Sequence, residues 1–301
     1  MSEPLHRVVV TGATGFVGRA LCARLAASVD ALRFGAPDWK DRLDATNLQG
    51  ATIFHLAARV HAPNVQAADF HSDNVDKTRA LALAAAREGA RRLVYLSSIK
   101  VHGEESPGRP FSVNDPPNPE DPYARSKWAA EQALTEVAAA TGLQVATVRS
   151  PLVYGAGARA NLGALLRLVD SPWPLPFASL AAPRSFVQVD DLARLLIACA
   201  ENPQAAGRTY IGAHVRGVST AALVTGMRSA LGRPARLYPF PARAIEACAA
   251  ALGQGDKARR LTRPLEGDPS AAERELRWVA RVPIDQAIGE MVRDYRARVR
   301  Q

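Results

Sequence analysis

Short apolar runs and amphipathic helical segments alternate along the first half of the chain. Runs such as residues 8–10 and 93–96 have the length and the β-branched and aromatic content of buried strands. Alanine-rich segments lie between such runs, and the clearest of them predict helices over 76–89 and 122–141. This alternation is typical of a parallel sheet with helices on both faces, so we predict a Rossmann-type, doubly wound α/β fold.

The pattern becomes less regular beyond Tyr154. Prolines at positions 172, 174, 176 and 183 interrupt it, which is typical of a smaller lobe built from short elements. Residues 209–212 again have a strand-like composition, and we expect them to rejoin the main sheet. We therefore predict a first domain over 1–154 and a smaller lobe, interleaved with it, over 155–301.

Composition is ordinary for a globular protein, with 48% apolar and 22% charged residues among 301. Cys22, Cys199 and Cys248 are far apart and lack C-x-x-C spacing, so we expect neither a disulfide framework nor a metal site. The first strand begins at Val8, which leaves no room for a signal peptide, and no apolar run is long enough to span a bilayer. We expect a cytoplasmic protein that is not an integral membrane protein.

The net charge of +9 raises the question of a nucleic-acid partner, because clustered lysine and arginine attract polyphosphate. Here the arginines are scattered, and few aromatic residues lie between them for base stacking. We expect no nucleic-acid partner and attribute the charge to anionic small molecules. A helical pattern over 284–295 has an arginine-rich face, for which packing on the domain is favoured over attraction to an anionic membrane.

A tyrosine and a lysine lie four positions apart at the start of the helix predicted over 122–141. Asp121 suits the N-cap and Pro122 the first helical position, so Tyr123 and Lys127 share one helix face. Free tyrosine, with a pKa of about 10, is a poor proton acceptor at neutral pH, and a neighbouring cation favours the phenolate. The pair predicts an acid/base site for hydride transfer, and a solvated helix face is the alternative.

A glycine-bearing turn joins the first strand to the first helical pattern. Gly12 allows the turn, Gly15 lets a pyrophosphate approach the backbone, and Gly18 permits close packing of helix and strand. The amides at the start of the helix attract phosphate. This predicts a dinucleotide site, with a turn that binds nothing as the alternative, at Gly12, Thr14, Gly15, Phe16, Val17 and Gly18.

Another predicted strand, over 92–99, ends in the hydroxyls of Ser97 and Ser98. In a doubly wound sheet the carboxyl ends of the strands carry the chemistry. Ser98 is therefore predicted to donate a hydrogen bond to a substrate oxygen beside Tyr123. The alternative is that it only caps the following turn.

With these motifs in this order, the chain resembles the extended short-chain dehydrogenase/reductase family, and within it the nucleotide-sugar epimerases and reductases. The similar segments cover nearly the whole chain and are residues 11–18, 55–58, 74–75, 97–103, 123–127, 149–155 and 184–193. The resemblance implies a catalytic triad of Ser98, Tyr123 and Lys127 and a cofactor that is NAD or NADP. It also implies that 1–154 binds the cofactor and that 155–301 mainly binds the substrate.

Further site residues follow from the same resemblance. Besides the glycine turn, Tyr123 and Lys127, the implied cofactor contacts are Leu56, Ala57, Ala58, Asn74 and Pro151. The implied substrate contacts are Ser98, Lys100, Val101, Asn161 and Arg184. Asn161 and Arg184 match positions that hold the diphosphate of a nucleotide sugar, and a guanidinium fork suits phosphate oxygens. A surface ion pair with Asp190 or Asp191 is the alternative for Arg184. The expected partner is a UDP-sugar, and a homodimer is compatible with the resemblance.

The chain departs from the family in two places. The region between Gly18 and Phe54 is short, and the candidate second strand, 30–34, ends without an acidic residue to bind the ribose of NAD. Arg33 there either contacts the 2′-phosphate of NADP or is a solvated arginine, the second being favoured, so the choice between NAD and NADP stays open. His102 stands where relatives often have tyrosine or asparagine, and it either contacts the sugar or is a polar loop residue.

The resemblance also narrows the reaction. Dehydratases of the family carry an acidic pair after the serine, whereas this chain has Ile99 and Lys100. We therefore expect oxidoreduction at C4 of a nucleotide sugar, first of all by a UDP-hexose or UDP-N-acetylhexosamine 4-epimerase. The alternative is a UDP-4-keto-6-deoxy-hexosamine 4-reductase of surface-polysaccharide synthesis. A non-catalytic NADP-binding regulator is a third interpretation, which the intact triad disfavours.

Overall fold

A computed structural model of the chain describes residues 5–25, 28–60, 65–158 and 160–299, with the side chains of 160 and 161 outside the described part. The strands in these ranges are β1 (Val8–Thr11), β2 (Val29–Leu32), β3 (Thr52–His55), β4 (Arg92–Ser98), β5 (Val145–Ser150), β6 (Leu152–Tyr154), β7 (Pro183–Arg184), β8 (Phe186–Gln188), β9 (Thr209–Ile211) and β10 (Val218–Ser219). Six of them form one parallel sheet in the order β2-β1-β3-β4-β5-β9, and β6-β8 and β7-β10 form two small pairs.

Helices cover both faces of this sheet and build the second lobe. They are α1 (Phe16–Arg24), α2 (Trp39–Asp44), α3 (Ala67–His71), α4 (Lys77–Arg87), α5 (Pro122–Thr141), α6 (Ala160–Val169), α7 (Val189–Glu201), α8 (Thr220–Ala230), α9 (Ala242–Ala251), α10 (Gly255–Thr262), α11 (Ser270–Leu276) and α12 (Ile284–Val299). A π-helical turn spans Ser72–Asp76, and short 3-10 helices span Ile99–Val101 and Pro203–Ala205. None of the helices in the described ranges has the length and apolar content needed to cross a membrane.

The alternation of side chains along β1 explains why the sheet is covered on both faces. Val8 and Val10 pack in a cluster with residues of α1 and α7, whereas Val9 packs in a second cluster with residues of α4 and α5. Successive side chains of a strand point to opposite faces, so a continuous apolar run must be buried on both sides. The Rossmann-type, doubly wound fold is confirmed.

The strand order defines where a ligand can bind. β2 and β3 both pair with β1, one on each side, so the chain reverses direction across the sheet after β2. Ligands of open α/β sheets bind in the crevice at the carboxyl ends of the strands beside such a reversal. The short region before Phe54 contains β2 and α2, which leaves β2 as the strand at this edge of the sheet.

The second half of the chain contributes to both lobes. β9 pairs in parallel with β5 and completes the main sheet, while α6, α8 and α12 enclose a separate apolar core. Ile288, Met291 and Val292 of α12 are buried in that core. The apolar face of the last helix therefore packs on the domain, as favoured from its sequence, and the division at 154 stays a prediction.

Candidate active site

The glycine turn after β1 is packed so tightly that side chains are excluded. Gly12 has φ of 75°, and a Cβ there would lie 2.8 Å from the backbone nitrogen of Ala57. A Cβ on Gly18 would lie 2.1 Å from the carbonyl oxygen of Gly12. Gly12 thus lets the turn approach the segment after β3, and Gly18 lets α1 pack against the turn. This is the geometry of a dinucleotide-binding loop.

The start of α1 offers backbone donors to an anion. Gly15 is the N-cap, no side chain in the described part of the chain caps this end, and the first turn carries no acidic residue. Thr14 and Gly15 are exposed, and Phe16 and Val17 are half-buried. Free amides at a helix start favour negative charge, so these residues fit the pyrophosphate of NAD or NADP.

A chain of hydrogen bonds fixes the segment that faces this turn from β3. The Thr78 hydroxyl donates to the carbonyl of Asn74 (2.7 Å) and therefore accepts from Nε2 of His55 (2.7 Å). Nδ1 of His55 then accepts from the Thr11 hydroxyl (2.6 Å), which itself accepts from the amide of Ala57 (3.2 Å). Burial lowers the pKa of His55 to about 3, so the ring is neutral at physiological pH.

Asn74, a cofactor contact implied by the resemblance, forms hydrogen bonds within the protein, and the cofactor contact stays a prediction. Its Oδ1 accepts from the amide of Arg59 (2.7 Å), and its Nδ2 donates to the Arg59 carbonyl (3.0 Å) and to the Ser126 hydroxyl (2.9 Å). The side chain is 1% exposed, and both amide hydrogens are used. Asn74 therefore holds the segment after β3 against α5, whereas Ala57 and Ala58 remain half-buried beside the crevice.

Tyr123 and Lys127 lie in the first turns of α5, which begins as the sequence predicts. Oδ1 of Asp121 accepts from the amide of Ala124 (2.6 Å) and caps the helix, and Pro122 is its first residue. Neither side chain is fully solvated, since Tyr123 is half-buried and Lys127 is buried. Lys127 is 2% exposed, and its Nζ lies 4.1 Å from the centre of the Tyr95 ring on β4.

Ser98 joins the tyrosine from the end of β4. A hydrogen bond from Ser98 reaches Tyr123 and lowers the pKa of the phenol. Its Oγ also accepts from the amide of Lys100 (3.3 Å), so Ser98 both caps the following 3-10 helix and contacts the predicted acid/base residue. The structure thus brings Ser98, Tyr123 and Lys127 together at the carboxyl edge of the sheet.

The pKa of Tyr123 differs from the expectation that Lys127 lowers it. Burial raises the pKa of Tyr123 to about 12, the charge of Asp121 adds to this effect, and the hydrogen bond from Ser98 opposes it. Burial lowers the pKa of Lys127 to about 7, against the charge of Glu131. Desolvation outweighs the neighbouring charge here because both groups are taken out of water.

Basic side chains converge near the start of α5. Lys100 forms ion pairs with Asp121 and Glu104, and Arg260 of α10 lies 3.7 Å from Asp121. Burial lowers the pKa of Arg184 to about 10, against the charge of Glu104. We refer to Lys100, Arg184 and Arg260 as the basic cluster. It gathers three cations around the carboxylates of Asp121, the N-cap of α5, and Glu104.

The surface ion pair considered for Arg184 is replaced by other contacts. Asp190 pairs with Arg24 (2.9 Å) and Asp191 with Arg194, while Nη1 of Arg184 donates to the carbonyl of Arg263 (2.7 Å).

Some predicted contacts are placed differently by the structure. Val101 is 0% exposed, and its contact with the substrate stays a prediction. His102, in the loop after the 3-10 helix, is also buried, stacks on Phe111 and accepts a hydrogen bond from Arg149 (2.9 Å). It is therefore not a solvated loop residue, and its contact with the sugar stays a prediction. Pro151 is buried and Leu56 half-buried, Arg33 is exposed after β2, and the side chain of Asn161 lies outside the described part.

The sequence interpretation missed Tyr95, Glu131, Arg149 and Arg260. Glu131 could have been noticed, because it follows Lys127 by four positions and so shares its helix face. Arg260 had no distinguishing signal in an arginine-rich chain. A cavity of about 430 Å³, which Phe16, Arg19, Asp190 and Arg298 help to line, contains none of the three predicted catalytic residues. The assignment of the chemistry to Ser98, Tyr123 and Lys127 stays a prediction.

Comparisons with known proteins agree with this geometry. The family described as NAD dependent epimerase/dehydratase matches residues 8–212. A UDP-glucose 4-epimerase of Vibrio cholerae is 33% identical over 294 residues, which cover 90% of each chain. A UDP-2-acetamido-2,6-beta-L-arabino-hexul-4-ose reductase of Pseudomonas aeruginosa is 30% identical over 62% of this chain and 48% of that protein.

The fold has similar solved structures. The UDP-glucose 4-epimerase of Thermotoga maritima, crystallised with UDP-glucose, superimposes with a TM-score of 0.80 at 20% identity. The match covers 97% of this chain and 99% of that one.

Proposed function

Because the chain belongs to the NAD-dependent epimerase/dehydratase family and is an NAD(P)-dependent enzyme of the short-chain dehydrogenase type, we propose that it is a UDP-hexose or UDP-N-acetylhexosamine 4-epimerase. The observation that carries the proposal is the meeting of Ser98, Tyr123 and Lys127 at the carboxyl edge of the sheet. A glycine turn with free helix amides lies at the same edge.

Tyr123, Ser98 and Lys127 have different roles in the reaction at C4 of the sugar. Tyr123 removes the proton of the C4 hydroxyl, and Ser98 holds the same oxygen by a hydrogen bond. The ammonium of Lys127 stabilises the phenolate form of Tyr123 that takes up this proton. The nicotinamide, when bound, supplies the hydride acceptor and donor. Gly12, Gly15 and Gly18, with the half-buried Ala57 and Ala58, would hold the cofactor.

The basic cluster supports a nucleotide sugar as the substrate. Lys100, Arg184 and Arg260 place cations within reach of the start of α5, where Tyr123 lies. A diphosphate has the charge and the oxygen acceptors for such a cluster. The similarity to the Vibrio cholerae UDP-glucose 4-epimerase over 90% of both chains supports UDP-glucose as the first substrate to test.

A 4-ketoreductase is the second candidate. The similarity to the Pseudomonas reductase favours it, and the same triad would serve by running in the other direction, with Tyr123 giving its proton to the 4-keto oxygen. The pKa of Tyr123, which burial raises to about 12, suits a proton donor at neutral pH. A non-catalytic regulator is not favoured, because the chain belongs to a family of NAD(P)-dependent enzymes and keeps Ser98, Tyr123 and Lys127.

The nucleotide released when the purified protein is denatured separates the two candidates. An epimerase needs no net exchange of hydride and retains its cofactor, so tightly held NAD in the released fraction supports it. A protein that is empty on purification, binds added NADPH and oxidises it with a 4-keto sugar is a reductase. Absence of binding of UDP to the protein would contradict the nucleotide-sugar class as a whole.

A further inference from the structure

A buried ion pair lies directly behind the triad. Tyr123, Lys127 and Glu131 follow one another at four-residue intervals, so they form one row on α5. Glu131 is 6% exposed and Arg149 of β5 is 5% exposed. The row continues the active-site face of the helix into the protein interior, and it ends on this pair.

The strands beneath α5 place the partners of Glu131 side by side. Ser97 of β4 and Arg149 of β5 are register neighbours in the parallel sheet. Oε1 of Glu131 accepts from the Ser97 hydroxyl and from Nε of Arg149 (3.1 Å), and Oε2 accepts from Nη2 of Arg149 (2.6 Å). Both carboxylate oxygens are therefore satisfied, and the carboxylate is held in one orientation.

Stability alone is a poor reason for such a pair. Removing two charges from water costs several kcal/mol per ion, and well-packed apolar residues often serve as well or better. A buried pair next to an active site calls for a role in that site.

The groups around Lys127 indicate what the role is. β3 presents the neutral His55, β4 presents the Tyr95 ring at 4.1 Å, and α5 presents the Tyr123 phenol and Glu131. Among these groups Glu131 carries the negative charge, and its charge favours the ammonium form of Lys127. Arg149 stands beyond Glu131 and holds that carboxylate in place by an ion pair and hydrogen bonds.

We propose that Glu131 and Arg149 are positioning residues for the reaction. Glu131 supplies the negative charge that keeps Lys127 an ammonium beside Tyr123, and Arg149 holds Glu131 in place. The inference rests on the proposed role of Lys127 in sugar oxidation. It adds that the charge of the lysine is maintained from inside the protein.

Lysine NMR tests this directly, because the chain has few lysines: Lys40, Lys77, Lys100, Lys127 and Lys257. Protein labelled with [6-¹³C]lysine gives a small set of signals, and Lys127→Met assigns the relevant one. In Glu131→Gln the titration midpoint of Lys127 should move toward acid by about one pH unit or more. Glu131→Asp keeps the charge and should recover part of the wild-type midpoint.

Two further variants serve as controls for this titration. Glu136→Gln makes the same substitution on the same helix, at a side chain that is 63% exposed and paired with Arg79, and it should leave Lys127 unchanged. The double variant Glu131→Gln/Arg149→Met removes both charges together and avoids an unpaired buried arginine. It should also move the midpoint toward acid, because Glu131 is the nearer charge.

The outcomes separate this inference from the proposed function. An unmoved midpoint in both Glu131→Gln and the double variant overturns the inference, and if Glu131→Gln does not fold, the double variant decides. The titration needs no sugar, so a shifted midpoint in a protein that does not convert UDP-sugars supports the inference and contradicts only the substrate. In an active enzyme, the alkaline limb of the kcat profile should move toward acid with the midpoint.

Discussion

The ammonium nitrogen of Lys127 lies 4.1 Å from the centre of the Tyr95 ring. An aromatic face attracts a cation by its quadrupole, and here it takes a place that water would occupy around an exposed lysine. The attraction does not restore full hydration, since burial still lowers the pKa of Lys127 to about 7. The charged form of Lys127 therefore lowers the stability of the fold, because the side chain is buried.

This cost predicts that Lys127→Met stabilises the protein in a pH-dependent way. The folded pKa of about 7 is below the ordinary 10.5, so between these values the unfolded chain binds a proton that the folded chain lacks. Wild-type stability should therefore rise with pH across this window. The advantage of Lys127→Met should shrink by about 2–3 kcal/mol between pH 6 and pH 9, as measured by urea unfolding. Lys40→Met, at an exposed lysine, is the control. If the difference in unfolding free energy between Lys127→Met and the wild type does not change with pH, the pKa of Lys127 is not lowered in the folded protein.

Tyr123→Phe removes only the phenolic oxygen, and we expect kcat to fall by ~10²-fold or more. Affinity for the nicotinamide nucleotide should survive, because the glycine turn is untouched. Tyr238→Phe, at an exposed tyrosine, should have no effect. Retained turnover in Tyr123→Phe would remove the residue from the mechanism.

Gly15→Val should abolish most of the binding of NAD and NADP with the fold intact. The glycine is exposed at the N-cap of α1, where a branched side chain would stand in the path of a pyrophosphate. Nucleotide titration followed by fluorescence measures the loss, and circular dichroism checks the fold. Unchanged affinity in a folded variant would mean that the turn is only structural.

Arg184→Ala should raise KM for a UDP-hexose by about tenfold or more and lower kcat less, because a diphosphate is remote from the reacting carbon. Inhibition by UDP should weaken, while affinity for the nicotinamide nucleotide should stay unchanged. Arg24→Ala is a matched control, since Arg24 pairs with Asp190 on the surface. A change in kcat alone would place Arg184 at the reacting atoms instead.

Local features were predictable from the sequence. The N-cap Asp121, the shared face of Tyr123 and Lys127 and the need for glycine at Gly12 and Gly18 depend on neighbours within a turn or two. Spacing is sufficient for such features, and the structure confirms them.

Features that join distant segments were not predictable in the same way. The meeting of Glu131 with Arg149 depends on the register of two strands under a helix, and the approach of Arg260 to Asp121 depends on the second lobe. The direction of the Tyr123 pKa shift was also wrong from spacing, because spacing identifies a neighbouring cation and says nothing about desolvation. The burial of His102 was not predictable either, because it depends on contacts with the distant residues Phe111 and Arg149.

Conversion of UDP-[4-²H]glucose in the presence of NAD, followed by ¹H NMR, tests the central claim most directly. Oxidation and reduction at C4 by one enzyme-bound cofactor predicts UDP-galactose that retains deuterium at C4, with the conversion lost in Tyr123→Phe. Loss of the label to water would indicate proton abstraction from carbon instead of hydride transfer. Either that loss, or no conversion by a protein that binds both NAD and UDP, would contradict the assignment of a UDP-hexose 4-epimerase.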